Sequence, residues 1–356
     1  MIDSYQGRLS LALLAGAGRL DPNVLEPHAA FIRQRQNADG GWSGREGDSD
    51  PYYTSFALRG LWIAGGLDVD IAQRSAEFLT DRTQSSQTIV DLVSLIFAAA
   101  IIEMATGIVV LPDEASDQVI DKASDQMIDE VTERVTDDVT GDIESQSTAV
   151  AVQADGWRDR VAGSLATLRT ADGGFAKSPQ GRAGSTYQTF LNVLCHQLLD
   201  RPIDRRDALA HFVASHRRDD GGYLEIRVAK RSGVNPTAAA IGTLRCIDEF
   251  GSLSPDAVES TKQFLHDRQN SDGGVSANTR IPFSDLLSTF TATWTLAELD
   301  PTDERWSTYA AAAGDYARRM VAPEGGFYGF ELDATADVEY TFYGLANLAL
   351  AAASKA

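Results

Sequence analysis

Cysteine is nearly missing from this 356-residue chain. There are two, Cys195 and Cys246, both inside apolar helical stretches. They make no disulfide framework and read as buried free thiols in a reducing compartment. Histidine is scarce as well, and the five present (His28, His196, His211, His216, His266) share no metal-ligand spacing. Positive charge is short: 31 Lys and Arg stand against 51 Asp and Glu, a formal net charge of -20. That balance opposes non-specific attraction to nucleic acid or to an anionic membrane. Long apolar runs are lacking too, with none expected to reach the length of a membrane span. The opening MIDSYQGRLSLALLAGAGRL puts Asp3 where an export signal needs positive charge, and glycines break its short apolar run. It reads as a first helix, and the expected location is cytoplasmic.

What is present is a repeat. The chain contains ADGGW at 38–42, ADGGF at 171–175, DDGGY at 219–223, SDGGV at 271–275 and PEGGF at 323–327. Each is an acid and two glycines followed by an apolar, mostly aromatic, residue. Nine residues before the first glycine stand Phe31, Ser164, Phe212, Phe264 and Tyr316, each in a helical pattern. The double glycine suits a chain leaving a helix through left-handed backbone angles. Sixteen residues after the first glycine comes Thr189, Thr237, Thr289 or Thr341, and in the first repeat Thr54 comes after fourteen. Each threonine opens a more apolar helix, where its hydroxyl can take an orphan amide. A sixth unit, AQRSAEFLTDR followed by DLVSLIFAAAIIEMA, keeps the helices without the glycines.

The unit is therefore outer helix, glycine loop, inner helix, six times over. Amphipathic helices alternating with nearly all-apolar ones imply two concentric layers. The expected fold is all-α, a single α/α toroid of six helical hairpins over residues 1–356. The alternative, an open solenoid, needs polar capping repeats that the sequence does not show. An acidic low-complexity segment at about 112–156 interrupts the pattern, with thirteen acids against Lys122 and Arg134. It reads as a solvated insertion.

These motifs resemble the prenyltransferase/squalene-cyclase repeat, through RQNADGGW, DGGFAKSPQGRAGSTYQTF, DDGGYLEIRVAKRSGVNPTAAA and PEGGFYGFELDATADVEYTFYGLANLAL. Length and repeat number are most similar to the β subunit of protein prenyltransferases. The resemblance implies a prenyl diphosphate bound in a central cavity and a helical α-subunit-like protein partner. It also implies a catalytic zinc held by an aspartate and a cysteine heading the fifth inner helix and a histidine heading the last. Here Asp285 keeps the aspartate, but Leu287 and Tyr340 stand at the other two positions. Leucine has no donor atom and tyrosine replaces imidazole poorly, so zinc is not expected. Mg²⁺ on the diphosphate stays open. The family's diphosphate-binding bases correspond to Arg227, Lys230, Arg231 and Arg280 on neighbouring loops, with Lys177 and Arg182 on the loop before. Such bases suit a diphosphate in an otherwise acidic chain.

Four residues before the threonines stand Asp50, Ser185, Gly233, Asp285 and Asp337, and Asp91 is expected to head the second inner helix. Acids at helix N-termini have an ordinary structural role, facing the free amides and the positive end of the dipole. The run DVEYT at 337–341 is also similar to the Asp-x-Asp-Asp-Thr acid motif of class II terpene cyclases. That resemblance makes Glu339 a candidate general acid beside Asp337, with Tyr340 in place of the last aspartate. Aromatic residues on inner helices, among them Tyr52, Tyr187 and Trp294, supply a wall suited to polyprene chains and to developing carbocations. Three functions remain open: zinc-free prenyl transfer, class II cyclisation, and non-catalytic binding of a lipid or peptide.

Overall fold

A computed structural model describes residues 4–83, 88–111 and 156–355, and nearly all of the acidic segment lies outside the described residues. Thirteen α-helices fill them, and no strand longer than an isolated bridge occurs. The first, α1 (Tyr5–Ala17), precedes six hairpins. These pair α2 (Pro22–Arg33) with α3 (Pro51–Ile63), α4 (Val69–Thr83) with α5 (Ile89–Thr106), and α6 (Trp157–Ala166) with α7 (Thr186–Leu198). Next come α8 (Arg206–Ser215) with α9 (Val234–Cys246), α10 (Pro255–His266) with α11 (Leu286–Leu299), and α12 (Glu304–Arg319) with α13 (Val338–Ala353).

The inner helices α3, α5, α7, α9, α11 and α13 each touch the next, and α13 returns to α3. The ring closes, as the repeat pattern predicts. The unit without glycines, α4 and α5, keeps its place in it.

The glycines do something other than end the outer helices. Those helices stop at Arg33, Ala166, Ser215, His266 and Arg319, six or seven residues before the doublet. The first glycine of each doublet then takes a positive φ, 82–93° at Gly40, Gly173, Gly221, Gly273 and Gly325. Its bare Cα presses on a carbonyl of the next outer helix: Arg74, Ala208, Ser260, Ala312 and, completing the circle, Pro27 of α2. A Cβ at any of the five would collide with that backbone. The second glycine makes room for a ring from the same neighbouring helix: Phe78, Phe212, Phe264, Tyr316 and Phe31 in turn. Ser164 now has a reason. The preceding unit carries no glycine pair, so α6 has no pocket to fill with a ring.

The threonines close each loop from the other side. Thr54, Thr189, Thr237, Thr289 and Thr341 accept the amide of the residue after the glycines (Trp42, Phe175, Tyr223, Val275, Phe327) at 2.9–3.2 Å. They sit one turn inside the helix, not at its first residue. The helix boundary lies four residues earlier, where Asp50, Ser185, Asp285 and Asp337 cap α3, α7, α11 and α13.

Helix α1 lies across the C-terminal ends of the inner ring. Gly16 meets the backbone of Ala349, and Arg8 holds the buried Glu298 through two bonds of 3.1 and 2.8 Å. Helix α5 corrects the expectation about apolar runs. It has 18 residues of mean hydropathy 2.1, long and apolar enough to cross a membrane by length and composition. Its place in the inner layer accounts for that composition, since 56% of it is buried inside the protein.

The seam where the last loop meets α2 yields two predictions. Gly325→Ala is expected to lose about 2 kcal/mol or more, from left-handed strain plus the clash with Pro27. Gly47→Ala, with φ +99° and nothing within 4 Å, is expected to lose only the strain term of about 1 kcal/mol. Equal urea midpoints for the two variants would contradict the packing argument. The second concerns His28, whose Nδ1 accepts the Gly326 amide at 3.1 Å against the Phe327 ring. Burial lowers its pKa to about 4. The unfolded chain then binds a proton that the folded one refuses, so this contribution is whole above about pH 6.5. It is lost as pH falls toward 4 and amounts to roughly 2–3 kcal/mol. In denaturation curves across that range, His28→Asn should flatten the pH dependence.

Candidate functional site

The inner ring surrounds a cavity of about 380 Å³. Tyr52 and Phe56 of α3, Tyr187 and Phe190 of α7, Phe290 and Trp294 of α11 and Tyr343 of α13 line it. Tyr53, Trp62 and Phe342, though also on inner helices, do not. Helix α1 supplies the floor through Tyr5, Gln6 and Leu9, with the Tyr5 ring edge-on to Phe190 at 5.4 Å and to Trp294 at 6.2 Å. These α1 residues were not foreseen, because α1 belongs to no repeat. Tyr187, the most exposed of the lining aromatics at 40%, marks the open end, where the inner helices begin.

Loops from each following repeat rim that end. The Thr186 amide donates to the Glu225 carbonyl, Val234 to Ala277 and Leu286 to Gly329, all at 2.9 Å. Each such bond satisfies an orphan amide at a helix N-terminus and fixes the loop over it. Arg227, Lys230 and Arg231 ride on the first of these loops and Arg280 on the second, all exposed. None lines the cavity wall, and none forms an ion pair among the described residues. Arg231 donates to the Thr279 hydroxyl at 3.3 Å, which joins the two loops.

The acids are bound into the framework. Asp285 accepts the Ser288 amide at 2.6 Å and its hydroxyl at 2.8 Å. Burial raises its pKa against those bonds. Asp337 accepts the Tyr340 amide at 2.8 Å and Arg45 Nε at 3.0 Å, while the same guanidinium grips Asp333. Asp91 does not cap its helix: Thr88 does, and donates to the Asp91 carboxylate at 2.7 Å. Glu339 stands apart, since it caps nothing and instead accepts the Tyr52 hydroxyl at 2.7 Å. Burial pushes its pKa up, the Tyr52 bond opposes this, and Asp337 adds to it. Tyr340 packs its ring on Gly329 and does not line the cavity.

These positions do not fit a zinc ion. Both Asp285 oxygens are engaged by Ser288, Leu287 faces the cavity without a donor atom, and Tyr340 is packed against a loop. Among the described residues no three His, Cys, Asp or Glu side chains stand close enough to hold a metal.

Among the lining residues on the inner helices, one carries a full charge. Arg59 projects from the middle of α3, and its guanidinium carbon lies 3.7 Å from the centroid of Phe342, 4.8 Å from Phe97 and 5.3 Å from Phe56. Burial pulls its pKa down to about 10, so it stays protonated at neutral pH. The signal was present in the sequence. Every other Asp, Glu, Lys or Arg of the six inner helices lies in a first or last turn; Arg59 alone is interior.

A closed ring of six helical hairpins around an aromatic cavity defines the α/α toroids. The chain belongs to one family of them: the sequence model of the prenyltransferase alpha-alpha toroid domain matches residues 6–96 and 145–355. No curated protein sequence matches it. Among solved structures it is similar to a Candida albicans protein geranylgeranyltransferase-I complexed with GGPP, at 16% identity and TM-score 0.60 over 92% of this chain and 91% of that one. It is also similar to the type II terpene cyclase MstE from Scytonema in complex with geranylgeranyl dihydroxybenzoate. The values there are 14% and 0.56, over 96% and 98%. A GH76A alpha-1,6-mannanase from Salegentibacter matches at 10% and 0.58 over 93% and 98%. Likeness at these identities shows the shared fold, and three such different neighbours leave the chemistry to the site itself.

Proposed function

We propose that this toroid binds a prenyl diphosphate and transfers its prenyl group without zinc. The observation that carries the reading is the aromatic cavity, opening at the rim that bears Arg227, Lys230, Arg231 and Arg280. An isoprenoid chain gains by leaving water for such a wall, at about 25 cal/mol per Å² of apolar area buried. Breaking an allylic carbon–oxygen bond leaves negative charge on the departing diphosphate, which the rim bases would neutralise. The geranylgeranyltransferase with its GGPP and the cyclase with its geranylgeranyl substrate support an isoprenoid as the ligand.

Calorimetric titration with geranylgeranyl diphosphate, with and without zinc, tests the reading. Binding should be equal in the two conditions, and Arg231→Ala and Arg280→Ala should each weaken it about tenfold. No binding in either condition would remove prenyl transfer; binding that needs zinc would remove the zinc-free part.

A second reading rests on Glu339. Its carboxyl has a raised proton affinity and is bonded to Tyr52, which lines the cavity, an arrangement suited to protonating a double bond. Under that reading Glu339→Gln abolishes turnover of a neutral polyprene while leaving its binding intact. Loss of turnover and binding together would point to the Tyr52–Glu339 pair as a structural strut.

A further inference from the structure

Arg59 is stabilised on its faces and has no protein partner at its edges among the described residues. Three phenyl rings around a guanidinium supply cation–π attraction, but a flat cation has five N–H donors in its plane. None of the five has a hydrogen-bond partner among the described residues, and no carboxylate forms an ion pair with it. The ionisable groups acting on it are Tyr343 and Tyr52. A half-buried charge set among rings without an acceptor is costly, and an apolar side chain of similar length would fill the same space without that cost.

The neighbourhood shows the same deficit. Ser55, one turn before Arg59 on α3, is 3% exposed, and Ser94, one turn before Phe97 on α5, is 8% exposed. Both line the cavity with Arg59. Neither hydroxyl has a partner among the described residues, whereas helical threonines nearby do bond back to a carbonyl, as Thr106 does to Ile102. Tyr343 lines the same cavity, and its hydroxyl has no partner among the described residues either. A guanidinium and three hydroxyls thus line one cavity without a partner among the described residues, on the side of the helix heads away from the rim. With a helix rise of about 1.5 Å per residue, seven residues put Arg59 roughly 10 Å below Tyr52.

We propose that Arg59, Ser55, Ser94 and Tyr343 form an interior anion subsite that takes a carboxylate or phosphate carried by an amphiphilic ligand. It is separate from the rim bases, and it holds whether or not the prenyl diphosphate reading does. The planar N–H edge offers paired bonds to two oxygens, and the hydroxyls complete their shell. The surrounding rings take the hydrocarbon part. The acids at the open end, Glu225 on the wall and Glu339 beside it, leave this interior cation as the charge that favours an anion.

The test compares three probes of one chain length, farnesol, farnesoic acid and farnesyl monophosphate, by calorimetric titration on the full chain. Wild type should bind at least one of the two anions ten or more times tighter than farnesol, and whichever is tighter identifies the anion as carboxylate or phosphate. Arg59→Met keeps a chain of similar length on Phe342 and should bring the ratio to about one while farnesol binding stays. Ser55→Ala with Ser94→Ala should lower it several-fold, and gives the same answer should Arg59→Met not fold. Arg74→Ala, an exposed base on outer helix α4 outside the cavity and the rim, should leave the ratio unchanged, which controls for long-range charge. Equal binding of alcohol and acids by wild type, no binding of any probe, or a ratio that survives loss of Arg59 overturns the proposal.

Discussion

The fold depends on five contacts between a glycine Cα and a carbonyl of the next outer helix. Each fixes the distance between adjacent hairpins at a value that no side chain permits. Because the contact runs from one repeat to the next, the set does not stop at the last repeat. The first glycine of 325–326 meets Pro27 as the earlier ones meet their neighbours, so the chain is closed by the interaction that builds it. Closure spares the toroid the polar end caps that an open stack needs. It also lets the inner helices be almost wholly apolar, since each is covered on both flanks and from behind. Helix α5 carries that to the length and composition of a membrane span while serving as one stave of a barrel.

Much of this was legible because the repeat is written in spacing. The intervals between ring, glycine pair and threonine locate both helices of each hairpin and their number. The reason assigned to the glycines was incomplete. A sequence pattern reports that a position needs glycine, but not whether the need comes from φ or from a neighbour. Here it comes from both, at a turn six or seven residues beyond the helix end. Ser164 shows how the missing half could have been found: the repeat lacking its ring follows the unit lacking its glycines. Two irregularities in adjacent units imply a contact between them.

The site was harder to read, and for a definite reason. Acids ahead of the threonines draw attention because they are conspicuous in sequence, yet a helix N-terminus recruits acids for its own amides. Asp50, Asp285 and Asp337 are all such caps. Glu339 differs by two residues of offset, which takes its side chain off the cap and onto Tyr52. Arg59 escaped notice because TSFALRGLWIAG reads as core by periodicity. The face a residue occupies in a helix that is apolar all round cannot be set by pattern, since the pattern has no polar side to orient it. Only its place on the cavity wall among Phe342, Phe97 and Phe56 shows that the guanidinium lies inside the barrel.

The interior cation also bears on which chemistry suits which depth of the cavity. A carbocation formed about 7 Å from Arg59 would be opposed by roughly 2 kcal/mol at an effective dielectric of about 20. That is a rate penalty of about thirtyfold. Near the helix heads the field reverses, with Glu225 and Glu339 close by and the rings of Tyr52 and Tyr187 presenting their faces. Positive charge is therefore best developed at the level of the helix heads, with negative charge held below it at Arg59 or above it at the rim bases Arg227, Lys230, Arg231 and Arg280. A ligand whose reactive carbon lies by Tyr52 while an anionic group reaches Arg59 satisfies both, and so does a prenyl diphosphate whose leaving group stays at the rim bases. The charges of the barrel thus constrain the depth of the reactive carbon before any catalytic group is considered.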